Sequence, residues 1–141
     1  PWVEFRPPDI ACPEGSRLAE DFAGTYAYGI ITSRCPYTTI VQETLADACK
    51  GESFYIWPWN YALTAPENSN AILGVELGAT GWSATRPIPG PSALAAEEVI
   101  MQEDVPRGSP IFFHVRNHGS NSYELLDLMI VAPGDTPKPG D

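Results

Sequence analysis

The stretch PIFFHVRNHGSNSYELLDLMIV, residues 110–131, decides the fold class of this chain. Its two flanks, Ile111–Asn117 and Ser122–Val131, are rich in the β-branched, aromatic and large aliphatic residues that strands favour. The segment between them, His118–Asn121, contains Gly, Ser and Asn and is typical of a turn. The stretch therefore predicts a β-hairpin.

Both faces of the second strand of this hairpin are largely apolar. Alternation of side chains places Leu126, Leu128 and Ile130 on one face. The other face then carries Tyr123, Leu125, Asp127, Met129 and Val131. A strand that is covered on both sides lies inside a sandwich or barrel, or contacts a partner.

Further strand-like segments recur along the chain. Those with strand-forming composition are Thr25–Ser33, Ser53–Thr64, Ala71–Leu77, Trp82–Arg86 and Val99–Gln102. Turn residues separate them, and the 15 prolines among 141 residues are about twice the ordinary share. This spacing of short strands is typical of a sandwich or a jelly-roll-like barrel.

Helix signals occur at three places. Thr39–Cys49 begins with the capping-box spacing Thr39-x-x-Gln42 and places its apolar residues on one helical face. Its β-branched residues leave a strand possible over Tyr37–Thr44. Ser16–Phe22 and Ser92–Glu98 each begin with a capping serine and predict a short helical turn.

The sequence as a whole predicts one mainly β domain, a β-sandwich or jelly-roll-like barrel with one or two short helices and extended proline-rich termini. We expect an extended N-terminal arm at residues 1–15, the β-rich domain at 16–132 and a Pro/Gly-rich tail at 133–141.

Charge excludes several classes of partner. Acidic residues outnumber basic ones 18 to 8, which gives a formal net charge of −10, and the cations are scattered singly. Nucleic acids and anionic membranes are bound by clustered Lys and Arg, so we expect neither as a partner. No apolar run approaches the roughly 20 residues of a membrane-spanning helix.

The three cysteines, Cys12, Cys35 and Cys49, show no C-x-x-C spacing. Three buried or reduced thiols are the favoured interpretation, because free cysteine is commonly buried. One disulfide with one thiol left over is the alternative, and the sequence does not indicate which two would pair.

No group of residues in the sequence forms a reaction centre. The chain contains two histidines, His114 and His118, but no Gly-x-Ser-x-Gly motif that would supply a nucleophilic serine. It also contains no phosphate-binding glycine loop and no calcium loop. We therefore expect no catalytic residue, metal or cofactor, and a protein that is not an enzyme.

Aromatic residues concentrate in SFYIWPWNYALT, Ser53–Thr64. Alternation places Tyr55, Trp57 and Trp59 on one face, and Pro58 favours an edge strand or a bulge because proline cannot donate to a ladder. Burial in the core is the favoured interpretation of this face. A protein interface and a platform for sugar rings are the alternatives.

An acidic β domain with an aromatic-anchored arm and no reaction centre resembles the small decoration, or cement, proteins of tailed-phage capsids. The Trp2–Pro8 arm and the C-terminal hairpin carry this resemblance. It implies a structural protein of the outer virion surface that stabilises a shell of major capsid protein and forms a homo-oligomer, commonly a trimer.

Partner contacts are then expected from two groups of residues. These are Trp2, Val3 and Phe5 of the arm, and Tyr55, Trp57 and Trp59 of the aromatic segment. The alternative function is a secreted or surface carbohydrate-binding β-sandwich module, in which the aromatic segment holds a glycan by stacking.

Overall fold

The computed structural model describes residues 12–22, 25–117, 119–135 and 137 of the 141-residue chain. Within these ranges the chain forms β-strands and no helix. Most of the expected arm and much of the expected tail lie outside the described residues. The strands, in chain order, are β1 (Arg17–Phe22), β2 (Thr25–Ile31), β3 (Tyr37–Glu43), β4 (Ser53–Asn60), β5 (Ser69–Leu77), β6 (Thr80–Ile88), β7 (Ala93–Leu94), β8 (Glu97–Ile100), β9 (Pro110–Arg116) and β10 (Ser122–Val131).

The strands form two antiparallel sheets that make a β-sandwich, as the sequence predicts. The six-stranded sheet has the order β1-β2-β10-β4-β7, and β8 pairs with β4 beside β7. The four-stranded sheet has the order β3-β9-β5-β6. Strand β4 is therefore an inner strand, with β10 on one side and the short strands β7 and β8 on the other.

Alternating side chains from both sheets fill the space between them. In β5, for example, Leu73, Val75 and Leu77 point inward and are almost completely buried. The inter-sheet core also includes Ile30, Phe54, Ile56, Ile111, Phe113, Val115, Tyr123 and Leu125.

The predicted C-terminal hairpin is wrong. Strand β9 pairs with β3 and β5, whereas β10 pairs with β2 and β4, so the two strands lie in different sheets. The connection between them crosses from one sheet to the other. The two strands thus pack apolar side chains into the same core from opposite sides. The apolar residues of β10 are therefore explained without a pairing between β9 and β10.

The predicted faces of β10 are wrong as well, because a register shift lies between Leu125 and Asp127. Tyr123 and Leu125 point into the core, and after the shift Leu128 and Ile130 pack against it. The Asp127 carboxylate accepts a hydrogen bond from the Leu128 amide at 2.8 Å, next to the shift. One extra residue in a strand moves all later side chains to the other face, and sequence alternation alone does not show it.

All three helix signals are wrong within the described residues. Residues 17–22 form β1, Tyr37–Glu43 forms β3, and the segment expected to be helical after Ser92 contains β7 and β8. Ile40 packs against the core while Val41 is 55% exposed on the outer face, which is strand alternation. Pairing of β3 with β9 over its whole length outweighs the capping signal at its start.

A disulfide joins Cys12 to Cys35, with the Cα atoms 5.2 Å apart. Cys49 is an exposed free thiol. The favoured expectation of three buried or reduced thiols is therefore wrong, and the pairing that the sequence left open is assigned. Separately, the described residues include no helix that is long and apolar enough to span a membrane.

Candidate functional site

The aromatic segment lies on the outer face of the six-stranded sheet. Phe54 and Ile56 of β4 point into the inter-sheet core, so the alternate residues Tyr55, Trp57 and Trp59 point away from it. Alternation thus groups these three residues as predicted. The favoured interpretation that they belong to the core does not hold for Tyr55 and Trp59, which are half-buried, whereas Trp57 is buried although it lies outside the inter-sheet cluster.

Tyr61 continues this face just beyond the end of β4, and the four residues Tyr55, Trp57, Trp59 and Tyr61 are called the aromatic row below. The Tyr55 and Trp57 rings are close to parallel, with centroids 5.7 Å apart and planes at 21°. The Trp59 and Tyr61 rings are nearly perpendicular, with centroids 5.8 Å apart and planes at 85°. The row therefore consists of one pair of similarly oriented rings and one edge-to-face pair.

Exposure differs along the aromatic row. Tyr61 is 43% exposed, Tyr55 and Trp59 are half-buried, and Trp57 is only 9% exposed. A ligand on this face would therefore contact the accessible parts of Tyr55, Trp59 and Tyr61. Trp57 packs beside Tyr55 and supports the row.

Pro58 lies in the middle of the row, in an inner strand. It is in register with Leu125, the residue at which the shift in β10 begins. The sequence predicts an edge strand or a bulge at Pro58. The register shift lies on the partner strand β10, opposite Pro58, which has no amide hydrogen to donate to the neighbouring strand.

The end of the row is held by Asn60, which is 3% exposed. Its side-chain amide donates to the Tyr61 carbonyl at 2.9 Å and to the Pro91 carbonyl at 3.1 Å. Leu63 then bridges Gly90 through backbone hydrogen bonds of 2.8 and 3.1 Å. These contacts fix the backbone that carries Tyr61.

Carboxylates lie in register with the aromatic row. Glu98 of β8 is opposite Tyr55, and Asp127 of β10 is opposite Trp57. The Glu98 carboxylate accepts a hydrogen bond from the Ser53 hydroxyl at 2.6 Å. Desolvation, and then the hydrogen bond and negative charge of the neighbouring Glu98, raise the pKa of Tyr55.

A third carboxylate, Glu124 of β10, is in register with Trp59 and is 1% exposed. Two exposed apolar side chains complete the surroundings of the row: Leu94, 56% exposed and opposite Trp59, and Ile100, 47% exposed and opposite Ser53. The face thus combines flat aromatic rings, apolar edges and hydrogen-bond acceptors.

A second polar cluster lies on the outer face of the other sheet. His114 of β9 contacts the Thr39 hydroxyl through Nδ1 at 2.9 Å and the Glu76 carboxylate through Nε2 at 3.2 Å. The Phe112 ring is parallel to the imidazole, with planes at 9° and centroids 6.0 Å apart. His114 is 6% exposed and joins three strands, so we assign it a structural role.

Possible metal ligands and the remaining predicted contact residues were also located. Among the described residues, no set of three or more His, Cys, Asp or Glu side chains could hold a metal ion. His118 and the arm residues Trp2, Val3 and Phe5 lie outside the described residues.

Sequence reasoning missed Tyr61, Glu98 and Asp127 as neighbours of the predicted aromatic residues. Tyr61 had a usable signal, since it is two positions after Trp59 and alternation continues past Pro58. Glu98 and Asp127 reach the face through pairing with distant segments, and no local pattern marks that pairing.

Comparisons with known proteins show the fold and no family. No protein-family model matches the sequence, and the search of curated proteins found no match. Solved structures do match. The enzymatically active domain of bacteriophage CBA120 tailspike protein 4 aligns with a TM-score of 0.50 and 12% identity over 84% of this chain and 17% of that chain.

Two carbohydrate-binding modules also match, with lower scores. TmCBM61, solved in complex with β-1,4-galactotriose, has a TM-score of 0.43 and 13% identity over 76% of this chain and 70% of that chain. A CBM4 structure has a TM-score of 0.45 and 9% identity over 84% of this chain and 81% of that chain. At these identities the likeness concerns the fold alone, and the described chain is a two-sheet β-sandwich.

Proposed function

We propose that this chain is a carbohydrate-binding β-sandwich module and that the aromatic row is its binding surface. One observation carries the proposal: three aromatic side chains of β4, followed by Tyr61 just after it, form a continuous row on the outer face of a sheet, and all of them except Trp57 are partly accessible. The accessible parts of Tyr55, Trp59 and Tyr61 form a contiguous apolar patch, and such patches on a protein surface commonly mark a site for a ligand or partner.

Sugar rings suit this surface for two reasons. The apolar face of a pyranose can pack on the rings of Tyr55, Trp59 and Tyr61, which are partly accessible. Its hydroxyl groups can donate to the carboxylates of Glu98 and Asp127, which lie in register with the row. A binding role needs no reaction centre.

The disulfide supports an extracellular location for such a module. Disulfides such as Cys12–Cys35 form and persist in oxidising compartments and are rare in the cytosol.

Capsid decoration stays a prediction that rests on the sequence resemblance, and its arm residues lie outside the described part of the chain.

The test is a glycan-array screen followed by calorimetric titration of the bound glycans. We expect Trp59→Ala and Tyr61→Ala each to weaken binding about tenfold or more, because each removes an aromatic contact worth at least ~1.5 kcal/mol. Phe112→Ala is the matched control, since Phe112 is a half-buried aromatic residue on the outer face of the other sheet. The glycan affinity of the Phe112→Ala variant should stay within about twofold of that of the unaltered protein, because Phe112 is distant from the aromatic row.

Two results would contradict the proposal. The array could show no bound glycan, which would favour a protein partner for the aromatic row. Alternatively, Phe112→Ala could weaken binding as much as Trp59→Ala, which would place the binding surface elsewhere.

A further inference from the structure

We infer that the aromatic row selects uncharged polysaccharides and discriminates against anionic ones. This inference rests on the proposed function and adds the ligand class. Its basis is the distribution of charge around the row, which is independent of the aromatic residues themselves.

The strands that build this face carry acidic side chains and no basic ones. Strands β4, β7, β8 and β10 contain the carboxylates of Glu97, Glu98, Glu124 and Asp127 and no Lys, Arg or His. Glu98 and Asp127 are in register with Tyr55 and Trp57, on the same face as the row. A glycan lying on the rings would therefore pass close to at least two carboxylates.

The cations of the described chain belong to other parts of the sandwich. Arg86 and Arg116 are in the four-stranded sheet, Arg17 is in the outermost strand β1, and the other described cations are in connections. The formal net charge of −10 adds a long-range field of the same sign. A uronate or sulfate group on this face would meet repulsion with no compensating cation from these strands.

The expected size of the discrimination follows from Coulomb's law. Two like charges about 4 Å apart in water repel by about 1 kcal/mol, which is about a fivefold change in affinity. Two carboxylates near the row therefore predict a preference of about tenfold or more for the uncharged partner. Screening should reduce this preference at high ionic strength.

The test uses polysaccharide pairs that share a backbone and differ in charge. Suitable pairs are hydroxyethyl cellulose with carboxymethyl cellulose, and methyl-esterified with de-esterified polygalacturonan. Calorimetry gives the affinity for each member at low and high salt. We expect at least one uncharged member to bind, and its anionic partner to bind about tenfold more weakly at low salt.

Substitutions of the two carboxylates test whether they cause the discrimination against anionic polysaccharides. Glu98→Gln and Asp127→Asn should each reduce the ratio of uncharged to anionic affinity about threefold to fivefold. Glu43→Gln is the matched control, because Glu43 is exposed on the four-stranded sheet and should leave the ratio unchanged.

Each outcome decides a different claim. Equal or tighter binding of the anionic members would overturn the charge selection and leave the carbohydrate-binding function standing. A ratio that the Glu98 and Asp127 variants do not change would overturn the assigned cause. Failure of every polysaccharide, charged and uncharged, to bind here and on the array would overturn the proposed function itself.

Discussion

His114 connects three strands, and its environment predicts that the stability of the fold depends on pH. Its ring lies between the Thr39 hydroxyl of β3 and the Glu76 carboxylate of β5, and Arg116 follows it on the same face of β9. Burial lowers the pKa of His114 below its ordinary value of 6.5, and the Glu76 hydrogen bond opposes this shift.

The sign of the pH effect follows from this lowered pKa. Between the folded-state pKa and 6.5, the unfolded chain binds more protons at this position than the folded chain does. The contribution of neutral His114 to stability is therefore fully present above the unfolded-state pKa and is lost as the pH falls. We expect the free energy of unfolding, measured with urea, to decrease from about pH 7.5 to about pH 5.

The variant His114→Gln removes the titrating group and keeps a hydrogen-bonding side chain. Its free energy of unfolding should change less with pH over the same interval than that of the unaltered protein. Equal slopes for the two proteins would show that His114 does not carry the effect.

At the scale of elements, the crossing between β9 and β10 is held by a buried amide. Asn117 is 1% exposed, and its Nδ2 donates to Thr32 Oγ1 at 2.6 Å and to the Gly119 carbonyl at 2.9 Å. Its Oδ1 accepts from the Tyr123 hydroxyl at 2.7 Å and from Asn121 Nδ2 at 3.1 Å. Burial raises the pKa of Tyr123, so its hydroxyl remains a donor.

Asn117→Ala should lower the free energy of unfolding by about 2–3 kcal/mol, because buried donors and acceptors lose their partners. Ser120→Ala, an exposed change in the same connection, should cost less than about 0.5 kcal/mol. Urea unfolding of both variants measures the difference. Equal losses would mean that the buried network does not fix the crossing.

Individual strands were predictable to different degrees. The strand composition of β4, β5, β9 and β10 and the alternation within β4 are local properties, and the sequence predicts them. The pairing of β9 with β3 and β5, and not with β10, is a long-range property. The same holds for β3, which forms a strand because it pairs with β9, despite its helix-capping signal. Composition and periodicity do not contain this information, because the partner strands are distant in sequence.

At the scale of the whole molecule, the two outer faces of the sandwich differ in character. The four-stranded sheet carries His114 in a polar cluster that joins its strands, whereas the six-stranded sheet carries the aromatic row with carboxylates in register. The sequence predicted which aromatic residues lie together. It could not predict that they point outward, because that depends on which face of β4 meets the four-stranded sheet.

The central claim is that a glycan binds on the outer face of the six-stranded sheet. Two-dimensional NMR of the indole N–H signals tests it most directly, since Trp57 and Trp59 belong to the aromatic row while Trp82 packs against the core from β6. Titration with an uncharged glycan that binds should shift the Trp59 signal most and the Trp57 signal less, and leave Trp82 unchanged. A bound glycan that shifts Trp82, or that leaves Trp57 and Trp59 unchanged, would contradict the claim.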